Sequence, residues 1–272
     1  MSDFNPEASQ SAAPPLTVEE ARANLHSKDL SLRYYAAWWL GKHRISEPAV
    51  VDALIEALDD EADRTELGGY PLRRNAARAL GKLADIRAVP GLIRSLDCPD
   101  FYVREAAAQS LEMLGDKAAI PALKQLLADG VTAAERVPGR PHLVQPCEAI
   151  MEALGTLKAT EAIGLIQPFL EHSNQRVQYA ALRAMYQLTG EDTYGQRLVA
   201  ALQGKDVVLR RAALADLGAI GYLPAAEAIA SASTENSFKL IALRGILEQQ
   251  ITSDTELSAD AIRVMDLLDA LL

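Results

Sequence analysis

Apolar residues recur along the chain with helical spacing, and that pattern is itself repeated. In the segment LRRNAARALGKL, which begins at Leu72, apolar residues fall at positions i, i+4, i+7, i+8 and i+11. This spacing places them on one face of a helix. A second helical pattern, AVPGLIRSL, follows, and a new copy of the whole unit begins at Val103. Each copy therefore predicts two short helices.

Looser copies extend the repeat over most of the chain. Successive copies are separated by 40, 31, 43, 31, 32 and 29 residues, and they begin at Leu32, Leu72, Val103, Pro146, Val177, Leu209 and Phe238. A period near 30 residues with two helices per copy is typical of an α-solenoid, in which each unit buries its apolar face only against its neighbours. We expect an all-α fold of about six to seven helical pairs.

The two long spacings contain insertions, at about residues 59–71 and 129–145. Both segments carry Gly and Pro, so we expect loops there and no extra helices. Insertions in a solenoid form loops that often lie on the binding face.

The ends of the chain differ from the repeats. Residues 1–15 are polar and lack periodicity, which predicts a flexible tail. The sequence TVEE at Thr17 is a capping box that begins the first helix. We place the solenoid at residues 16–251, a polar linker at 252–260 and an amphipathic capping helix at 261–272.

Recurrent Gly, Pro and Asp mark the ends of the predicted helices. Pro90 and Pro121 fall in a first helical turn, where the missing N–H has no intrahelical partner. Asp100 and Asp206 precede helices and are expected to cap them. Four copies carry a glycine near the end of their first helix: Gly41, Gly81, Gly155 and Gly218. A glycine at this position suits either a left-handed cap or a close helix crossing.

Composition and charge exclude several classes of function. The formal net charge of −10 disfavours long-range attraction to nucleic acid or anionic lipid. No apolar run is long enough to span a membrane, and the N-terminal segment is not a secretory signal, so we expect a cytoplasmic protein. Cys98 and Cys147 match no metal pattern and are expected to be buried in a reducing compartment.

Several segments resemble the E-type subunits of the phycobilisome bilin lyases, whose repeats are HEAT-like. The resemblance covers most of residues 20–245, and its most specific part is GGYPLRRNA, because many HEAT-like proteins share the repeat core. The segments are RYYAAWWLGKHR, DEADRTELGGYPLRRNAARALGKL, GRPHLVQPCEAIMEALGTL, VQYAALRAMYQLTG, LRRAALADLGAIGYLP and NSFKLIALR.

The resemblance implies a lyase subunit that acts as a heterodimer with an F-type partner. Such a pair binds phycocyanobilin, delivers it to the apo-phycocyanin α subunit and promotes thioether formation with one cysteine, without a metal or another cofactor. The bilin transferred, and its placement on this chain, on the partner or between them, stay open. The alternative function is a non-catalytic HEAT-repeat adaptor or chaperone for phycobiliproteins.

A bilin is a flat apolar plate with two propionates, so its site calls for stacking surfaces and guanidinium groups. Tyr70, Arg73, Arg74 and Asn75 offer both at the junction of the first insertion and the next helix. The alternative for Arg73 is a structural arginine ladder, since the same repeat position holds an arginine in three further copies: Arg33, Arg104 and Arg210.

The second insertion offers another candidate. Arg140 and His142, together with Arg136, form the local basic cluster of this loop. They are expected to bind a propionate or to contact the acceptor protein, and the alternative is a solvated loop.

Four aromatic residues fall in one predicted helix. Tyr34 pairs with Trp38 and Tyr35 pairs with Trp39 at spacing i, i+4, and the two pairs face differently. We expect one pair to pack into the core and the other to form a platform for the partner subunit or the bilin, with Tyr35, Trp38 and Trp39 as its candidates.

The sequence identifies no catalytic residue. HEAT-repeat hydroxylases hold iron through His-Glu dipeptides, and none of the four histidines here is followed by Glu, so no metal site is expected. A nucleophile elbow and a Gly-rich phosphate loop are also lacking. A covalent bilin intermediate on Cys98 or Cys147 is the alternative to two inert thiols.

Overall fold

The computed structural model describes residues 16–251 and 257–272, and these residues form helices joined by loops. The predicted tail (residues 1–15) lies outside the described residues, and so do residues 252–256 of the predicted linker. In the described part of the chain the α-helices are α1 (Val18–Asn24), α2 (Leu30–Lys42), α3 (Pro48–Ala57), α4 (Pro71–Leu83), α5 (Val89–Ser95), α6 (Phe101–Leu114), α7 (Ile120–Leu126), α8 (Cys147–Thr156), α9 (Ile163–Ile166), α10 (Gln175–Thr189), α11 (Asp192–Ala201), α12 (Val207–Ala219), α13 (Ala226–Ser231), α14 (Asn236–Gln250) and α15 (Ala259–Asp269).

The helices are arranged in two layers. The even-numbered helices α2 to α14 stack side by side as one layer, and each odd-numbered helix from α3 to α13 packs against the even-numbered helix that follows it. Helix α1 packs on α2 at one end, and α15 packs on α13 and α14 at the other. The prediction of an all-α solenoid with about six to seven helical pairs is confirmed.

Short polar side chains begin the even-numbered helices as the sequence predicts. Asp100 accepts a hydrogen bond from the Tyr102 amide, and Asp206 accepts one from the Val208 amide. The capping box at Thr17 is also present. Helix α15 begins at Ala259, two residues before the expected start of the terminal helix.

The recurrent glycines serve close helix crossings. A Cβ atom added to Gly41 would lie 2.8 Å from the Cα atom of Ala79, and one added to Gly218 would lie equally close to the Cα atom of Ala242. The left-handed caps fall elsewhere, for example at Gly115 with φ +71°. Of the two alternatives, the close crossing is therefore correct for the repeated position.

The arginine ladder is present and includes Arg73. Each of its arginines lies in the first turn of an even-numbered helix and donates to a backbone carbonyl in the segment that precedes that helix. The donor and acceptor pairs are Arg33 Nε to Leu25 O (2.9 Å), Arg73 Nε to Asp60 O (2.6 Å), Arg104 Nη1 to Cys98 O (2.7 Å) and Arg210 Nη1 to Gly204 O (2.7 Å). The ladder thus ties consecutive copies together.

Alanine and leucine fill most of the continuous core between the layers, and both cysteines are buried. Burial raises the pKa of the Cys147 thiol to about 12, so this group stays protonated and weakly nucleophilic at neutral pH. This favours the inert interpretation of Cys147. No helix in the described ranges has the length and apolarity needed to cross a membrane.

Candidate functional site: a groove at the second insertion

The first insertion is held rigidly against the start of α4. Asp63 is buried and accepts a hydrogen bond from the Leu72 amide at 2.8 Å, which satisfies a free N–H of the helix end. Asp100, at the start of α6, accepts from the Tyr70 amide at 2.8 Å. The insertion is therefore fixed to two helices and presents a defined surface.

Tyr70 does not offer the open stacking surface that the sequence suggested. Its side chain is only 4% exposed, and it packs with Cys98 and Val103 beneath the insertion. The guanidinium of Arg73 lies over its ring, 4.2 Å from the centroid, and also pairs with Glu61. Tyr70 and Arg73 therefore stabilise the insertion from within, and the ring of Tyr70 is not exposed for stacking.

Two other residues of that junction point to different places. Asn75 donates from Nδ2 to the carbonyl oxygen of Tyr34 at 3.0 Å, which fastens α4 to α2. Arg74 lies over the ring of Tyr102, 5.9 Å from the centroid, and its buried Nε finds no hydrogen-bond partner among the described residues. Arg74 is thus the member of this group directed toward α6.

The second insertion begins with a 3-10 turn, Gly130–Ala134, where only loop was expected. It then folds back on itself, with Arg136 opposite Leu143 in an antiparallel bridge. Arg104 of the ladder donates to the carbonyl oxygen of Val144 at 2.8 Å. The loop is therefore anchored on α6 at its returning end.

His142 joins the tip of this insertion to α6 through aromatic contacts. Its imidazole stacks on Phe101 with ring centroids 4.6 Å apart, and its ring meets that of Tyr102 edge-on at 5.9 Å. Its Nδ1 lies 2.8 Å from the carbonyl oxygen of Leu143. The three rings form one cluster between the two insertions, in which Phe101 is buried and Tyr102 and His142 are half-buried.

Three adjoining cavities follow the second insertion, and we call them together the insertion groove. The middle cavity, of about 290 Å³, shares the three-ring cluster with a cavity of about 460 Å³ toward the first insertion. On its other side it shares Arg136 and Arg176 with a cavity of about 610 Å³ toward α12. These volumes fall in the range of ordinary ligand sites, about 300–1,000 Å³.

Guanidinium groups surround this groove. Arg136 and Arg140 are exposed on the insertion; Arg136 lines the middle cavity, and Arg140 lines the cavity toward the first insertion. Arg176, at the start of α10, pairs with Glu148 of α8 at 2.8 Å. Arg74 approaches the cluster from α4. Aromatic faces and several cations therefore meet in one concave surface.

Sequence reasoning found Arg140 and His142 but missed the residues that face them. Phe101, Tyr102 and Arg176 come from two different helices and lie far from residue 142 along the chain. The sequence signal that could have identified Phe101 and Tyr102 was their position directly after the capping Asp100. Large side chains in a first helical turn lie at the edge of the helical layer.

The aromatic residues of α2 form a separate surface outside the insertion groove. Tyr34, Tyr35 and Trp38 are each more than 40% exposed, whereas Trp39 packs against the core. Tyr35 and Trp38 contact each other with ring centroids 5.4 Å apart. The expected division into one buried and one exposed i, i+4 pair is wrong, because three of the four side chains point outward.

A buried ionic cluster lies deeper in the even-numbered layer. Arg183 of α10 lies 3.2 Å from Glu152 of α8 and 3.7 Å from Asp216 of α12, and it also pairs with Glu112 of α6. Burial raises the pKa of both Glu152 and Asp216, and repulsion from neighbouring carboxylates adds to each rise. Three carboxyl groups thus share one guanidinium. Among the described residues, no set of His, Cys, Asp and Glu is placed to hold a metal ion.

Comparison with protein families agrees with this architecture. The family model of HEAT repeats matches residues 70–136 and 146–218, and that of the PBS lyase HEAT-like repeat matches residues 32–60. The fold and these matches thus define a HEAT-like repeat solenoid.

Individual relatives show which HEAT-repeat proteins this chain resembles. The chain is 70% identical over 262 residues to the phycocyanobilin lyase subunit alpha of Nostoc sp. PCC 7120, covering 95% of each chain. It is 55% identical to the subunit of that name from Synechocystis sp., covering 95% of this chain and 97% of the relative, and 46% identical to the bilin biosynthesis protein PecE of Mastigocladus laminosus, covering 89% and 86%.

A solved structure matches the whole chain. In the complex of CpcE and CpcF of phycocyanin lyase from Nostoc sp. PCC 7120, one chain superposes with a TM-score of 0.91 at 67% identity, and the match covers 100% of both chains. The chain therefore belongs to the family of phycocyanobilin lyase alpha subunits.

Proposed function

We propose that this chain is the alpha subunit of a heterodimeric bilin lyase that attaches phycocyanobilin to a cysteine of the phycocyanin α subunit. The observation that carries the proposal is the insertion groove, where three aromatic rings and several arginines converge. A flat apolar molecule with two carboxylates requires this combination. Family membership supports the same substrate, since relatives along the whole chain are named as phycocyanobilin lyase subunits.

Each part of the groove has a role in this function. Tyr102 and His142, which are half-buried and supported by the buried ring of Phe101, supply the surface on which the conjugated plate stacks. Arg136 and Arg140 line two adjoining cavities that share these rings, which suits two propionates on one plate. Tyr70, Arg73 and Asn75 act indirectly, since they fix the first insertion and α4 that flank the groove.

Arg176 and Arg74 extend this recognition. Arg176 remains more than half exposed although it pairs with Glu148, so it retains free donors toward the groove. Arg74 stays near Tyr102 with one unused donor, Nε. A buried guanidinium donor without a partner is unfavourable in the free protein.

The mechanism we propose is chiefly one of positioning. The acceptor cysteine thiolate attacks the exocyclic ethylidene carbon of the bilin, and the lyase accelerates the step by holding the two reactants in register. Neither thiol of this chain is needed, since both are buried. The two free cysteines also favour a reducing compartment, so we propose that the protein acts in the cytoplasm.

An F-type subunit is the proposed partner. The related solved structure is a complex of CpcE with CpcF, which supports the same pairing for this chain. The exposed aromatic surface of α2 (Tyr34, Tyr35 and Trp38) has the composition of an interface hot spot, so we place a partner contact there.

Co-expression tests this function. This chain, an F-type partner, apo-phycocyanin α subunit and a phycocyanobilin-producing system are expressed together, and covalent bilin on the α subunit is read by zinc fluorescence. We expect attachment that depends on this chain. Equal attachment without it, with an active partner and acceptor, would contradict the lyase function and favour a non-catalytic adaptor.

A further inference from the structure

One glutamate that lines the insertion groove makes no side-chain hydrogen bond among the described contacts, and its one ion pair, with Arg78, is long. Glu105 lies on α6, one helical turn after Phe101, and lines the middle cavity together with His142 and Arg176. Its side chain is 30% exposed. It therefore faces the space that the proposed function gives to the bilin.

The surroundings of Glu105 differ from those of the other acid in the cavity. Glu148 is tied to Arg176 by contacts of 2.8 and 2.9 Å. The cation nearest to Glu105, Nη2 of Arg78, lies 3.9 Å away, which is beyond hydrogen-bond distance. Within the described residues we find no donor to the Glu105 carboxyl group. This group is thus available to a ligand.

Three packed elements set the electrostatic environment of Glu105. Helix α4 contributes Arg74 and Arg78, α8 contributes Glu148, and α10 contributes Arg176. Partial burial raises the pKa of Glu105, the repulsion from Glu148 adds to the rise, and the arginines oppose it. The carboxyl group therefore binds a proton more readily than an exposed glutamate does.

The chemistry of attachment needs such a group. Thiolate attack on the ethylidene carbon pushes an electron pair into the conjugated chain of the bilin. An imine-type ring nitrogen can accept that pair. Protonation of this nitrogen makes the ethylidene carbon more electrophilic. A positioned carboxyl group whose pKa is raised by burial is better suited to this transfer than an exposed one.

We propose that Glu105 is the acid of the insertion groove, which donates a proton to a ring nitrogen of the bound linear tetrapyrrole and so activates it toward the thiol. This inference rests on the proposed lyase function and names a catalytic residue for it. Acids of this kind contribute rate factors of about 10²–10⁴.

The step balances without an oxidant or a reductant. Glu105 gives its proton to the ring nitrogen. The C–S bond forms as the exocyclic C=C bond breaks, and the electron pair passes along the conjugated chain to the protonated nitrogen. The ring carbon next to the exocyclic carbon then takes up this proton as a C–H bond forms. The proton released by the thiol restores Glu105, so the net change is addition of S–H across C=C.

The test uses the complex of this chain with an F-type partner, loaded with phycocyanobilin. The visible spectrum is recorded as a function of pH, because protonation of a conjugated imine shifts absorption to longer wavelength. The rate of attachment to apo-phycocyanin α subunit is measured in parallel. The variants are Glu105→Gln, Glu105→Asp and Tyr102→Phe, and the control is Glu161→Gln, which changes an exposed glutamate before α9.

We expect Glu105→Gln to bind the bilin, to lose the long-wavelength band that the wild-type complex shows, and to attach the bilin at least about tenfold more slowly. Glu105→Asp should recover part of both signals, and Tyr102→Phe should retain the band. An unchanged band and rate in Glu105→Gln would overturn the proposal, as would a band lost only in Tyr102→Phe.

Two other outcomes can be told apart from a failure of the Glu105 proposal: a variant that does not fold, and a wild-type complex that is not a lyase. If Glu105→Gln does not fold, as judged by its melting curve, the wild-type complex decides the matter: the long-wavelength band should fade as pH rises, and a band independent of pH would contradict the proposal. If the wild-type complex neither binds bilin nor accelerates attachment, the lyase function fails first, and the inference fails with it.

Discussion

His142 lies nearly parallel to Phe101, with ring centroids 4.6 Å apart and ring planes inclined by 13°. This contact joins the second insertion to the first turn of α6, although 41 residues separate the two in sequence. Because Phe101 and His142 together line two of the three cavities, the stack also fixes the shape of the insertion groove.

Replacing His142 by Ala removes that stack. We expect the free energy of unfolding to fall by about 1 kcal/mol, as for an aromatic pair. Bilin attachment should fall more, since the insertion tip loses its position over the groove. Chemical denaturation and the attachment rate measure the two effects. His26→Ala, an exposed histidine far from the groove, is the control and should leave attachment unchanged.

Neighbouring arginines at the start of α4 should behave differently. Arg73 donates to the carbonyl oxygens of Asp59 and Asp60, so Arg73→Ala should lower the free energy of unfolding by about 2–3 kcal/mol. Arg74→Ala removes a side chain whose buried Nε has no described partner, so stability should change little while attachment slows. Equal losses of stability in both variants, measured by denaturation, would contradict this division.

The close crossing of α4 and α6 gives a prediction on packing. A Cβ atom added to Gly81 would lie 2.9 Å from the Cα atom of Ser110, so Gly81→Ala should cost about 1–3 kcal/mol of stability. Gly164 has no atom within 4 Å of the added position, and Gly164→Ala should stabilise by up to about 1 kcal/mol. If Gly81→Ala and Gly164→Ala shift the melting temperature in the same direction, the close crossing of α4 and α6 is contradicted.

The cluster around Arg183 should make stability depend on pH. The pKa of Asp216 is raised in the folded state by burial, so the folded protein binds a proton that the unfolded chain releases. This contribution is complete below the ordinary carboxyl pKa of about 4 and is lost as pH rises through the raised value. Wild-type stability should therefore decline toward alkaline pH.

Asp216→Asn removes part of that dependence. Denaturation between about pH 5.5 and about pH 8.5 should show a smaller decline for Asp216→Asn than for the wild type. Asp266→Asn, at an exposed position of α15, should follow the wild type. An unchanged slope in Asp216→Asn would show that this carboxyl group does not carry the extra proton.

The sequence predicts local structure well wherever one residue determines it. Asp100 and Asp206 cap helices because their side chains reach amides two residues away, and such a contact is visible in the sequence. The ladder role of Arg73 could be predicted from the repeat itself, because Arg33, Arg104 and Arg210 share its position.

The groove was harder to predict because its parts come from different copies. His142 was a candidate, but its partner Phe101 depends on how the second insertion folds back over α6. For Tyr70 the sequence suggested an exposed stacking ring. In the structure its amide donates to Asp100 and its ring lies under the Arg73 guanidinium, so the side chain is held in the interior. Side-chain direction in an insertion is set by long-range hydrogen bonds, which spacing alone does not reveal.

The most direct test of the account compares bilin attachment by the wild-type complex and by the double variant Arg136→Ala/Arg140→Ala at subsaturating phycocyanobilin. Both side chains are exposed, so the fold should be retained. Lys82→Ala/Lys117→Ala removes the same charge elsewhere and serves as control. We predict that the arginine variant attaches bilin at least about tenfold more slowly, since each charged hydrogen bond is worth about 1.5–3 kcal/mol. Attachment at the wild-type rate would contradict the insertion groove as the bilin site.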